Sequence, residues 1–185
     1  MIEATEELKI RAEILHKRLV AGVPGSRTRL RALAPLAKAD DEALAAAAGA
    51  VQRKHCLAVV AREVGFGNWN HALSVLRGDL AEPDFGTLLY DAEGCRGTLN
   101  AWFANHPEAR AHLSSQRDRG GHVFLLAYKR QFVVVDSHFV DALGLDPEDP
   151  DWKSLDYDWL SPSAARQRLY AKRLVAVGRD RKSVV

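Results

Sequence analysis

Three residues of this chain could do covalent chemistry together. Cys95 follows Gly94 at the expected start of a helix, His122 heads a β-rich run, and Asp136 closes the next one. A thiol at a helix N-terminus is acidified by the helix dipole and a nearby cation; a histidine can take its proton, and a carboxylate can orient the imidazole. Strand geometry decides whether His122 and Asp136 can meet. Side chains alternate between the faces of a strand, and directly paired residues share a face. With a two-residue tip, Lys129-Arg130, Tyr128 pairs with Gln131, His122 lies opposite Ser137, and Asp136 projects from the other face. With a three-residue tip, Lys129-Arg130-Gln131, Asp136 becomes a same-face diagonal neighbour of His122, roughly 7–8 Å away between backbones. A type I′ turn needs φ > 0 at both central positions, which suits Lys-Arg poorly and favours the longer tip or a bulge. The same residues also read as a small buried thiol, a strand-end imidazole and a helix cap. That structural reading outweighs the catalytic one, because only Asn100 or Gln131 could serve as an oxyanion-hole side chain.

The order Cys95, His122, Asp136 resembles that of the papain-like cysteine hydrolases over residues 94–136. The resemblance implies a hydrolase or acyl transferase with Cys95 as nucleophile, His122 as base and Asp136 as orienting group. The chain departs from that pattern at Arg96, since no aromatic residue directly follows the cysteine.

Binding, rather than catalysis, is suggested by Tyr128-Lys129-Arg130-Gln131-Phe132, an aromatic and basic mixture at a hairpin tip. Such a tip can dock a partner, although most tips are merely solvated. Asn100 joins this candidate set, as does Trp152, which lies in an acidic loop and reads as a surface anchor. Trp102-Phe103 and Trp159 read as core. Metal ligation is not expected: His106 and His112 are six apart and cannot share a helix face, and no CxxC or HExxH spacing occurs. Gly120-Gly121 opens no helix and is no phosphate loop, and no dinucleotide fingerprint is present, so no cofactor is expected.

The elements that must position these residues follow from periodicity and breakers. Leu8, Ala12, Leu15 and Leu19 recur at helical spacing until Gly22-Val23-Pro24-Gly25. Ser26 caps a second helix ending before Pro35, and Asp40-Asp41 open an alanine-rich third. Residues 53–64 form a helix with Cys56, Val59, Val60 and Val64 on one stripe; after Gly65-Phe66-Gly67, Asn68 or Asn70 caps another. Beyond Glu82-Pro83 a strand is expected over 85–90, then a helix over 94–103, and a helix over 107–115 with Pro107 in its first turn. The hairpin 123–128 and 132–135 is the strongest strand signal in the chain. Asp136 or Ser137 caps a helix ending at Gly144, an extended piece spans 155–160, and Ser161-Pro162 opens a last helix to about Leu174.

The stretch from Arg53 to Trp69, where one helix ends in Gly-Phe and a tryptophan begins the next, resembles a helical module of bacterial proteins. In those proteins it precedes ankyrin repeats or belongs to a glyoxalase-related helical domain. The resemblance spans residues 8–77, implies a helical fold and carries no catalytic residue; the second half resembles part of a bacterial family that supplies no function either.

At 185 residues, with 47% apolar and 27% charged side chains, the composition is that of a globular protein with one sizeable core or two small ones. A net charge of +2 does not argue for nucleic acid. No segment approaches the roughly 20 uninterrupted apolar residues that span a bilayer, the N-terminus lacks a signal-like apolar stretch, and two distant cysteines suit a thiol-retaining cytoplasm. Acids crowd residues 146–158 and bases crowd 166–182, which reads as a solvated helix face with a frayed tail, or as a docking strip for an acidic partner. The expected class is α+β, with a helical module at 1–80, a mixed domain with a β-hairpin and flanking helices at 81–178, and a loose tail at 179–185. The expected function is non-catalytic binding or regulation, with a protein or small-molecule partner.

Overall fold

Helix α1 (Ala4–Val20) forms where the sequence places leucines at helical spacing, and it buries Leu8, Ala12, Leu15 and Leu19. Each leucine withdrawn from water in this way contributes about 1.5–3 kcal/mol. The computed structural model describes residues 3–79, 84–90, 100–161 and 163–180, with Arg179 and Asp180 described by backbone alone. After α1 the expected second helix is instead two short 3-10 turns, Thr28–Ala32 and Ala34–Leu36. Ser26 does not cap them; its hydroxyl donates back to the Val23 carbonyl at 2.7 Å, and Pro35 leaves no room for a longer helix. Arg29 ties the first turn to Glu63 through paired bonds of 2.9 and 2.7 Å.

Helices α2 (Asp41–Ala48), α3 (Arg53–Glu63) and α4 (Trp69–Arg77) follow. Asp40 caps α2 by accepting from Ala43 N–H, and Asn68 caps α4 by accepting from His71 N–H. α3 buries Cys56, Val59, Val60 and Ala61 and packs on α1. Residues 85–90 were expected to be a strand and are not. Their backbone groups are shared between two neighbours instead of one: Thr87 N–H donates to Gly65 O, Phe85 N–H donates to Lys129 O, and Gly86 O accepts from Lys129 N–H. This contact demands glycine at Gly65 and Gly86. Gly65 has φ +97°, and a Cβ there would stand 2.3 Å from Thr87 Oγ1; Gly86 has φ +71°, and its Cβ would stand 2.7 Å from Gly65 O.

Among the described residues the sheet is three-stranded and antiparallel, in the order β1 (Asn100–Phe103), β3 (Gln131–Asp136), β2 (Val123–Tyr128). The helix expected up to Phe103 is therefore corrected to a strand over 100–103, where Trp102 and Phe103 take opposite faces as a pleat requires. The preferred three-residue hairpin tip is also overturned. Tyr128 pairs with Gln131, so the tip is Lys129-Arg130, and Lys129 alone takes a positive φ of 51°. The two backbone bonds from Phe85 and Gly86, each 2.8 Å, hold Lys129 in that conformation.

Helix α5 (His106–Asp118), capped by Asn105 with Pro107 near its start, covers one sheet face and buries Ala109 and Leu113 against Leu125 and Val134. Helices α6 (Ser137–Ala142), α7 (Pro150–Ser154) and α8 (Ala164–Asp180) complete the fold. α7 escaped the sequence analysis, while α8 runs past the expected end at Leu174. The piece over 155–160 is a turn region with positive φ at Asp156 and Tyr157, and it touches β2 through a single parallel bridge between Leu125 and Asp158.

One buried cluster joins both halves of the chain, from Leu8, Leu15 and Val59 to Phe124, Trp152, Trp159 and Leu174. The basic run on α8 helps to close it, which corrects the expected solvated face. Arg166 and Arg173 are 4% and 5% exposed. Arg166 donates to Val75 O at 3.0 Å and to Leu160 O at 3.3 Å, so its cation sits on the carbonyl-rich C-terminus of α4, where the helix dipole favours it. Arg173 donates to Leu88 O at 2.9 Å and to Leu143 O at 2.5 Å.

Candidate functional site

Of the Cys-His-Asp set, Cys95 lies outside the described residues. His122 and Asp136 are described, and the two-residue tip sends them different ways. His122 stacks edge-on with Phe124, ring centroids 5.6 Å apart, and its Nδ1 is 3.6 Å from Glu148 Oε1. Asp136 pairs in register with Val123, one residue on from His122, so the alternation of the pleat puts it on the α5 face. There its carboxylate caps α6, accepting from Phe139 N–H at 2.9 Å.

An imidazole–carboxylate pair at hydrogen-bond distance forms elsewhere, without any sign of it in the sequence. His106 Nε2 lies 2.8 Å from Asp158 Oδ2, across 52 residues of chain. Asp158 is 4% exposed; it also accepts from Leu160 N–H at 3.0 Å, and Arg110 Nη1 stands 3.6 Å away. Pro107 announced the first turn of α5, but nothing in the spacing announced the Asn105 cap, His106 as the first helical residue, or Asp158. Among the described residues no hydroxyl or thiol is hydrogen-bonded to His106, so the pair fastens the 155–160 turns to α5 without a nucleophile beside it.

The proposed binding residues partly converge. Asn100 and Trp102 on β1 share a face with Tyr128 and Gln131, because Trp102 pairs with Val133 and Tyr128 with Gln131. On that face Tyr90, Trp102 and Tyr128 form an aromatic cluster, with ring centroids at 4.6 Å for Tyr90–Tyr128, 5.8 Å for Trp102–Tyr128 and 5.9 Å for Tyr90–Trp102. Trp102 Nε1 donates to Asn100 Oδ1 at 2.9 Å. Lys129 lies over the Tyr128 ring at 5.3 Å, and Lys129, Arg130 and Gln131 are all exposed. Trp102 was expected in the core and is 38% exposed; Trp152 was expected at the surface and is fully buried against Phe124 and Trp159. The two tryptophans exchange the roles read from sequence. Sequence acidity around Trp152 misled, because Asp149 and Asp151 turn to α8 while the indole turns inward.

That turn builds a second feature, a groove of about 510 Å³ whose lining includes Leu145, Val175, Asp149, Arg168 and Lys172. Arg168 Nε reaches both Asp151 oxygens at 3.0 Å, and Lys172 bridges Asp149 and Asp151. Hydrogen bonding from Arg168 holds the Asp151 carboxyl below its usual value, with Lys172 adding to it. Burial pulls Lys172 down, but the carboxylates of Asp149 and Asp151 outweigh it and raise its pKa overall. The groove is thus neutralised from within, and no lining cation awaits an anion. The depressed Asp151 stabilises the fold above the ordinary aspartate value of about 3.9, and that contribution is lost as pH falls through the folded value. Lys172 has the opposite sense: its contribution is whole below about 10.4 and is lost as pH rises further. Asp151→Asn is therefore expected to flatten the acid limb of a stability–pH curve measured by urea unfolding; an unchanged limb would refute this assignment.

Cys56 is buried in the α1–α3 core at 0% exposure, and burial raises its thiol pKa, which disfavours the reactive thiolate. Among the described residues no three His, Cys, Asp or Glu side chains gather as a metal site, and no helix is long and apolar enough to cross a membrane. No family model, curated protein or solved structure matches this chain.

Proposed function

We propose that the chain is a non-catalytic recognition protein whose contact surface is the Tyr90–Trp102–Tyr128 face of the sheet with the cations of the hairpin tip. The observation that carries this reading is the exposure of Trp102 on β1, at 38%, while Trp152 and Trp159 are 0% and 1% exposed in the core. A large aromatic ring held in a rigid cluster at the surface loses little entropy on binding, which is why such rings anchor interfaces. Asn100, Tyr128, Lys129, Arg130 and Gln131 surround it with donors, acceptors and positive charge. A cysteine hydrolase or acyl transferase using Cys95, His122 and Asp136 gains no support from the register that separates the last two. Nor does the paired groove on α8 favour a charged ligand.

Selection of a displayed library of random ten-residue peptides on the full chain tests the reading. Enriched peptides are expected to bind at least ten-fold more weakly to a Trp102→Ala chain. Peptides that bind both chains equally, or no enrichment at all, would overturn it. Trp102 is on the surface, so the variant is expected to fold, and circular dichroism verifies this.

A further inference from the structure

The margins of the sheet are not treated alike. At the outer edge of β2 the chain adds a piece of itself: Leu125 N–H donates to Tyr157 O and Trp159 N–H donates to Leu125 O, both at 2.9 Å. At the hairpin tip it does so again, through Phe85 and Gly86 on Lys129. On the outer edge of β1 no described residue makes such a bond. An open strand edge is normally protected by a charge, a proline or a bulge. β1, four residues long with the sequence Asn100-Ala101-Trp102-Phe103, pairs in continuous register with β3 and carries no charge, proline or bulge, so that among the described residues its shortness is its protection.

From this contrast we infer that the partner binds as an extended segment that adds a fourth strand outside β1 and carries acidic residues toward the hairpin tip. Main-chain hydrogen bonds to β1 would supply much of the affinity, and alternate side chains of the segment would lie on the aromatic face. The acidic character follows from Lys129 and Arg130. Both are exposed beside the Phe103 end of β1, and among the described residues neither forms an ion pair. The inference rests on the recognition reading above, naming the form of the partner at the same face.

The test uses the peptides selected on the full chain, resynthesised with N-methyl groups at alternate backbone amides. In an added strand, successive amides point to opposite edges, so one methylated set faces β1 and the other faces solvent. Methylation of one set is expected to weaken binding at least ten-fold and of the other less than two-fold. Lys129→Glu with Arg130→Glu is expected to weaken acidic peptides by a further ten-fold or more at low salt. Equal tolerance of both methylated sets, with binding still lost in Trp102→Ala, would overturn strand addition and leave the recognition face standing. Binding indifferent to Trp102→Ala would overturn both. A chain that sediments as a dimer, and as a monomer once Trp102→Lys is introduced, would assign the β1 edge to a second copy and overturn the peptide partner. Selected peptides without acidic residues would overturn the charge assignment.

Discussion

Replacing Trp152 by alanine is expected to remove about 3–5 kcal/mol of folding stability, the range for emptying a fully buried aromatic site. Trp152 is 0% exposed, its ring centroid is 4.9 Å from that of Phe124 and 5.3 Å from that of Trp159, and its Nε1 donates to Asp146 O at 3.0 Å. The substitution would open a cavity between the sheet and the C-terminal helices and leave the Asp146 carbonyl without its donor. Trp152→Phe keeps a ring in place and is expected to cost less, about 1–2 kcal/mol, mostly for the lost hydrogen bond and the smaller volume. Urea unfolding of the three proteins checks this order. A Trp152→Ala chain within about 0.5 kcal/mol of the parent, as for a surface site, would contradict the burial of this indole.

The second large effect is expected at Arg166, where alanine should cost about 2–4 kcal/mol. Its guanidinium spans two elements from a third: it starts on α8 and bonds Val75 O at the end of α4 and Leu160 O before α8. Gly78, the left-handed C-cap of α4 with φ +89°, leaves space for it, since a Cβ there would stand 2.6 Å from Arg166 Nη2. Removing the side chain takes the donor from Leu160 O, leaves Val75 O with Gly78 N–H alone, and weakens the seam between the helical half and the sheet half. Lysine is not an equivalent substitute, because a single ammonium cannot reproduce a planar fork. Arg166→Lys is therefore expected to recover no more than about half of the loss, a fraction read from the same unfolding experiment. Recovery to the parental midpoint would show that charge alone, and not the fork, matters here.

Much of the fold was legible in local patterns. The leucine spacing of α1, the caps Asp40 and Asn68, Pro107 in the first turn of α5 and the cap Asp136 each act within four residues of themselves. What was missed depends on partners far along the chain. The tip Lys129-Arg130 adopts a turn its sequence disfavours because Phe85 and Gly86 hold it. Residues 84–90 have the apolar content of a strand, yet their backbone bonds go to Gly65 and Lys129 rather than to a neighbouring strand. The cations of α8 look like a solvated stripe until the carbonyls of Val75 and Leu88, 91 and 85 residues away, are brought to them. At the candidate site, Tyr128 and its neighbours were legible as a hairpin tip, but Tyr90 and Trp102 were not, because the β1–β3 register brings Trp102 beside it and the bonds of Phe85 and Gly86 to Lys129 bring Tyr90.

Amide hydrogen exchange resolved to single residues tests most directly whether β1 is an unclosed margin on which the recognition surface depends. In the free chain, the outward-pointing amides of Asn100–Phe103 are expected to exchange at nearly open-chain rates, while Leu125 N–H, held by Tyr157 on the opposite margin, is slowed by orders of magnitude. Uniform protection along β1, equal to that of Leu125, would mean that the chain already covers this edge, and no partner strand could be seated there.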